Sequence, residues 1–133
     1  MKKFFAALTS FVLLMCLFIS PVQAQEAFVI DNFKTEVRVR EDNTADITET
    51  ITVNFSESRH GIFRVIPLKS EVTRIVNGKA VTKTQRVRLS GASVEGHSYE
   101  TEVSGGNFRF QIGDADTYVS GTQVYTIHYT LDF

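Results

Sequence analysis

Apolar and polar residues alternate one by one along most of this chain, once a continuous apolar segment at its front has ended. Successive side chains of a strand point to opposite faces of a sheet, so a two-residue rhythm marks half-buried strands rather than a helical stripe. The clearest case is Ala45–Phe55. Ala45, Ile47, Ile51, Val53 and Phe55 fall on one row, and Asp46, Thr48, Thr50, Thr52 and Asn54 on the other. Before it, Phe28–Arg40 predicts a strand with Phe33, Val37 and Val39 inward beside Thr35, and Glu36, Arg38 and Arg40 outward. The polar turn Glu41–Thr44 joins them, with Asn43 suited to a left-handed conformation. A polar link, Ser56–His60, and a turn at Gly61 lead into the short apolar strand Ile62–Leu68. Pro67 has no amide to donate, which puts that strand's end at an edge or bulge.

The second half continues in the same way. Val72–Val76 and Ala80–Leu89 flank Asn77-Gly78, a two-residue hairpin signal. The apolar register shifts at Gly91, the mark of a bulge or break. Ser98–Ser104 and Asn107–Ile112 flank Gly105-Gly106 as another hairpin, with Phe108, Phe110 and Ile112 as its buried face. Gly113–Gly121 reads as a loop, and Thr122–Phe133 as a last strand burying Tyr125, Ile127, Tyr129, Leu131 and Phe133. About seven or eight short antiparallel strands separated by turns predict an all-β fold, a β-sandwich of immunoglobulin-like type. No helical stripe, internal repeat or low-complexity segment interrupts the pattern after Gln25.

The front segment has a different grammar. Lys2 and Lys3 precede an apolar run, Phe4–Ile19, broken only by Thr9 and Ser10; Ser20-Pro21 and then Val22-Gln23-Ala24 follow. A positive end, an apolar run and a small-residue site describe a secretory signal peptide over residues 1–24, cleaved before Gln25. The run is shorter than the roughly 20 residues a spanning helix needs. A lipoprotein anchor at Cys16 wants a small residue before the cysteine, and Met15 stands there. The chain is therefore organised as residues 1–24, a leader, and residues 25–133, one β-sandwich domain.

Removing the leader removes the only cysteine, so a domain bound for an oxidising compartment must hold together without a disulfide. It leaves 12 basic and 15 acidic side chains, a net charge of −3. A nucleic-acid binder needs a basic excess, and a disordered tail needs few aromatics and a large net charge; this chain has neither.

Two charges break the apolar rows. Glu49 stands between Ile47 and Ile51, and Arg64 stands in the row of Ile62, Ile66 and Leu68. An unpaired buried charge costs several kcal/mol, about 3–5 when a true pair is broken, so the economical expectation is a buried ion pair between Glu49 and Arg64. Its role is either to fix strand register or to serve an interaction or catalytic site.

The run Asp46-Ile47-Thr48-Glu49-Thr50-Ile51-Thr52-Val53 and the block Arg59-His60-Gly61-Ile62-Phe63-Arg64-Val65-Ile66-Pro67 together resemble one family. So do Ile112-Gly113-Asp114-Ala115-Asp116, Gly121 and Tyr125-Thr126-Ile127-His128-Tyr129. These blocks, which cover nearly all of residues 25–133, resemble the amino-terminal domain of the predicted membrane proteins of domain-of-unknown-function family 2207. The resemblance implies a bacterial protein with a signal, an extracytoplasmic β domain, then membrane spans and a low-complexity tail. It carries over no catalytic residues. The sequence given ends at Phe133 with no span, the expectation being a fragment, a truncated gene prediction or a soluble variant; anchoring in the membrane belongs to the first of these.

Candidate chemistry is sparse. His60, His97 and His128 lack ligand spacing, whereas a zinc site needs three or four convergent ligands. Asp114 and Asp116 beside Gly113 lack the remaining oxygens of a calcium loop and read as a turn. No strand-turn-helix nucleophile elbow, paired carboxylates or phosphate-cradling glycine loop is present. No metal, cofactor or catalytic residue is expected. Arg59, His60 and Arg64 beside Phe63 form the best candidate interaction group, suited to an anion because arginine presents a bidentate fork.

The reading is thus an exported bacterial β-sandwich of the periplasmic or extracellular face, a non-catalytic interaction or sensing module. Its partner is unassigned: another envelope protein, or the membrane-embedded part of a longer version. Two alternatives stay open. One is a cell-envelope enzyme using Glu49 with His60 or Arg64. The other is a carbohydrate-binding sandwich, set back by the absence of tryptophan and by aromatics that fall mostly on inward rows.

Overall fold

β2 (Thr44–Arg59) lies between two hydrogen-bonded neighbours, and this central position explains its strict alternation. A computed structural model of the protein describes residues Glu26–Phe133; the expected leader lies outside them. Every regular element among the described residues is a strand: β1 (Phe28–Val39), β2, β3 (Gly61–Pro67), β4 (Lys69–Val76), β5 (Lys79–Arg86), β6 (Arg88–Val94), β7 (Tyr99–Ser104), β8 (Asn107–Gly113) and β9 (Val119–Asp132). They form a four-stranded sheet, β1-β2-β9-β6, a three-stranded sheet, β3-β8-β7, and a separate two-stranded sheet, β4-β5. All pairings are antiparallel.

The core sits between the four- and three-stranded sheets. Ala45, Ile47, Ile51, Val53 and Phe55 of β2 and Tyr125, Ile127 and Tyr129 of β9 supply one wall, joined by Val94 of β6. Ile66 of β3 and Phe108, Phe110 and Ile112 of β8 supply the other. Phe110 is wholly buried and meets Tyr129 across the interface, ring centroids 6.3 Å apart. Four strands facing three is the count of an immunoglobulin constant domain. Here the last strand lies inside the four-stranded sheet, between β2 and β6.

The turn chemistry acts as its residues dictate. Asn43 has φ 61°, and Asn77 and Gly78 have φ 51° and 75°, the paired positive dihedrals of a type I′ hairpin. Gly91 sits where the β6–β9 register shifts, between Ser90 and Ser93.

Several boundaries differ from the sequence pattern. β2 continues to Arg59 instead of ending at Phe55, through an irregularity that lets Arg59 pair with Val119. The expected strand Ala80–Leu89 is two strands: β5 ends at Arg86, and β6 starts at Arg88 as a neighbour of β9. Both halves alternate alike, so periodicity could not show the change of partner. β9 starts inside the segment read as a loop.

Burial corrects the pattern at the margins. Phe28, Ile30, Phe33, Val37 and Val39 share the inward face of β1, yet all are exposed: β1 is an edge strand, and the core cluster stops short of it. Phe133 is exposed as well. Phe28 and Phe33 lie on an inward row as expected but stay exposed, and Phe63 and Tyr118 depart from the expected inward placement, each more than 60% exposed.

Candidate functional site

Glu49 is 2% exposed, the one buried charged residue among those described. Its row is the core row of β2, and its cross-strand neighbours are Thr35 on β1 and Ile127 on β9. Arg64 reaches it from β3 in the opposite sheet. Arg64 Nε donates to Glu49 Oε2 at 2.7 Å, and Nη2 donates to Oε1 at 2.7 Å. This parallel fork is the strongest geometry available to an arginine and a carboxylate. Tyr129 Oη donates a third bond to Oε1 at 2.9 Å.

The remaining faces of the guanidinium are also used. Arg64 Nη1 donates to the Val65 carbonyl at 2.6 Å, and Phe33 of β1 lies 5.5 Å beneath the cation. The arginine side chain is 28% exposed, so the pair is closed at its carboxylate end and partly wet at its cationic end. The fork to Glu49 raises the Arg64 pKa against the opposing effect of burial. Burial, and then the bond to Glu49, push the Tyr129 phenol well above its ordinary value. Chemically this is a saturated cluster: Glu49 has three donors at 2.7–2.9 Å, and the buried phenol is held protonated.

The group Arg59, His60 and Arg64 is distributed among separate partners. Arg64 is committed to Glu49. Arg59 pairs with Glu57 at 3.0 Å on the surface. His60 stacks on Tyr118 with centroids 4.1 Å apart, and its Nδ1 lies 3.1 Å from the Thr117 carbonyl. Phe63 points away, exposed, with Arg109 5.3 Å over its ring. His60 borders a surface cleft with Phe63, Gln111 and Asp114, and in that cleft Arg59 is the nearby cation.

The other histidines serve the sheets. His128 Nδ1 lies 3.0 Å from Thr48 Oγ1 and its Nε2 2.6 Å from Glu95 Oε1, both on the outer face. His97 packs on Tyr125, centroids 4.7 Å apart. Asp114 Oδ1 accepts the Asp116 amide at 2.7 Å, an Asx turn. No group of three or more His, Cys, Asp or Glu side chains among the described residues is placed to hold a metal ion.

Three residues, Tyr129, Gly61 and Gly113, have roles here that a reading of the sequence does not assign. Tyr129 joins the carboxylate because it lies diagonally across the β2–β9 ladder, where long side chains still reach one another. Gly61 and Gly113 are directly opposite in the β3–β8 ladder. A Cβ on Gly61 would fall 1.8 Å from the Ile112 carbonyl oxygen, and one on Gly113 1.8 Å from that of His60. Their φ values, 145° and 126°, are also ones that L side chains rarely adopt. The signal was present: the Arg-His-Gly and Ile-Gly-Asp blocks each place one glycine where a strand meets its turn. The structure makes those blocks neighbours, each glycine leaving room for the backbone of the other's strand.

Among the described residues no helix is long and apolar enough to cross a membrane. Comparison with curated proteins and with solved structures gives no match in either set. The family model described as the N-terminal domain of predicted membrane protein DUF2207 matches residues 29–132, nearly every residue from β1 to β9, and the chain belongs to that family.

Proposed function

We propose that this domain is a non-catalytic interaction or sensing module on the extracytoplasmic side of a bacterial membrane system. The observation that carries the reading is the closed state of Glu49. A general acid or nucleophile needs a free lone pair or proton within reach of substrate. Glu49 instead has both oxygens occupied by Arg64 and Tyr129, at 2% exposure. Of the two partners the enzyme reading gives Glu49, Arg64 is held in the fork to it and His60 lies against the Thr117 carbonyl. What the domain offers to solvent is surface: the uncovered apolar row of β1 and the exposed rings of Phe63 and Tyr118. The family's description as the N-terminal domain of a membrane protein supports placement beside a membrane.

Glu49→Gln discriminates the readings. It removes the charge but keeps the shape, and leaves Arg64 without its counter-ion. We expect a loss of about 3 kcal/mol in urea unfolding, the low end for a buried pair because Arg64 is partly wet. A Glu49→Gln protein that keeps its full stability while its host loses the protein's cellular role would establish chemistry at Glu49 and end the non-catalytic reading.

A further inference from the structure

The β4–β5 hairpin stands apart from both core sheets. Its strands pair only with each other, and it is tied to the body at its root, where Leu68 N donates to the Gly106 carbonyl and Val87 N to that of Leu68. Residues 69–86 carry five basic side chains, Lys69, Arg74, Lys79, Lys83 and Arg86, against one acid, Glu71: a charge of +4. The rest of the chain from Glu26 onward carries 7 basic and 14 acidic side chains, −7. The positive charge of this acidic domain is therefore concentrated on one projecting element. None of the five cations is in an ion pair among the described residues.

The cations are interleaved with aliphatic side chains. Cross-strand register pairs Val72 with Lys83, Arg74 with Val81 and Val76 with Lys79, so one face alternates valine and cation from root to tip. These residues, except Lys79, border one cleft on the hairpin. At the tip, on the opposite face, Ile75 is 72% exposed. Aliphatic groups among unpaired cations match the interfacial zone of an anionic bilayer, which takes apolar side chains just below the headgroups and attracts lysine and arginine at their level. The acidic body is repelled by the same surface, and this fixes the orientation.

We infer that the β4–β5 hairpin docks on an anionic lipid bilayer, its Val72/Arg74/Val76/Lys79/Val81/Lys83 face and Ile75 tip entering the headgroup region. The inference rests on the proposed place beside a membrane and adds which surface touches it.

The test uses the exported protein, purified from the cell envelope. The chain has no tryptophan, so one introduced residue is a clean reporter. Val76→Trp samples the hairpin, and Thr101→Trp samples exposed β7 on the body. Mixed with vesicles of equal parts phosphatidylglycerol and phosphatidylcholine, Val76→Trp emission is expected to shift to the blue, while Thr101→Trp stays unchanged. Pure phosphatidylcholine vesicles are expected to shift neither. Arg74→Gln, Lys79→Gln and Lys83→Gln together, in the Val76→Trp background, are expected to weaken vesicle affinity on the order of 100-fold, about fivefold per cation. Raising salt from about 0.1 M to about 1 M, which cuts the screening length from about 10 Å to about 3 Å, is expected to release the hairpin.

No shift at Val76→Trp with anionic vesicles overturns the inference. So does an equal shift with phosphatidylcholine, an equal shift at Thr101→Trp, or an unchanged affinity after the three neutralisations. An equal response to soluble polyglutamate overturns it in favour of an acidic protein partner. Each failure leaves the extracytoplasmic reading standing, because that reading is decided separately by topology.

Discussion

At the scale of single residues, two tyrosines on one strand make opposite predictions. Tyr129 donates to a buried carboxylate, whereas Tyr125 is buried with no hydrogen-bond partner for its hydroxyl among the described residues. A bond to a charged group contributes about 1.5–3 kcal/mol, and an unsatisfied buried hydroxyl costs about 1–3 kcal/mol. Tyr129→Phe is therefore expected to lower the urea-unfolding free energy by about 2 kcal/mol, and Tyr125→Phe to leave it unchanged or raise it. The same groups set an alkaline limit. Both phenols are raised in the folded state, Tyr125 by burial and Tyr129 by burial and the bond to Glu49. The folded chain then holds protons that the unfolded chain releases near pH 10.0, so their contribution is full below that pH and falls as pH rises above it. Urea midpoints measured from pH 8 upward should stay level and then drop beyond about pH 10, more gently in the double variant Tyr125→Phe/Tyr129→Phe.

At the scale of elements, β3 and β8 are locked together by their glycines. Gly61→Ala puts a methyl group onto the Ile112 carbonyl and forces an L residue to φ 145°. Backbone cannot yield as a flexible side chain can, so a loss of at least about 2 kcal/mol is expected. Gly78→Ala is the control: its φ is also positive, but nothing lies within 4 Å of the added Cβ, so thermal unfolding should show a smaller loss. A Gly61→Ala protein as stable as Gly78→Ala would refute the close approach. Element existence was legible because turn residues and period-two rows are local. Partner exchange was not. β5 and β6 read as one strand because each alternates; the chain leaves the β4 hairpin at Val87 and joins β9, a choice made by a distant strand.

At the scale of the molecule, the proposed extracytoplasmic placement is open to a labelling test. A cysteine placed at Asp116, in the exposed turn before β9, is expected to react with a membrane-impermeant maleimide in intact cells stripped of any outer membrane. Labelling only after lysis would put the domain on the cytoplasmic side and refute the extracytoplasmic reading. This outcome is independent of whether the hairpin touches lipid.

Most of the strands, the inward rows of β2, β8 and β9, and the anomaly of a glutamate and an arginine inside apolar rows were legible in the chain alone. These follow from the alternation of side chains along a pleated backbone, a property of neighbours in the chain. Tertiary structure decided which rows are covered and which charges meet. β1 has an inward row like that of β2, but the row of β2 is covered and that of β1, at the edge of the sheet, stays exposed. Likewise, the third donor to Glu49 and the facing of Gly61 and Gly113 come from strands far apart in sequence and adjacent in a ladder. Coverage and pairing depend on packing across layers, and no local pattern encodes it.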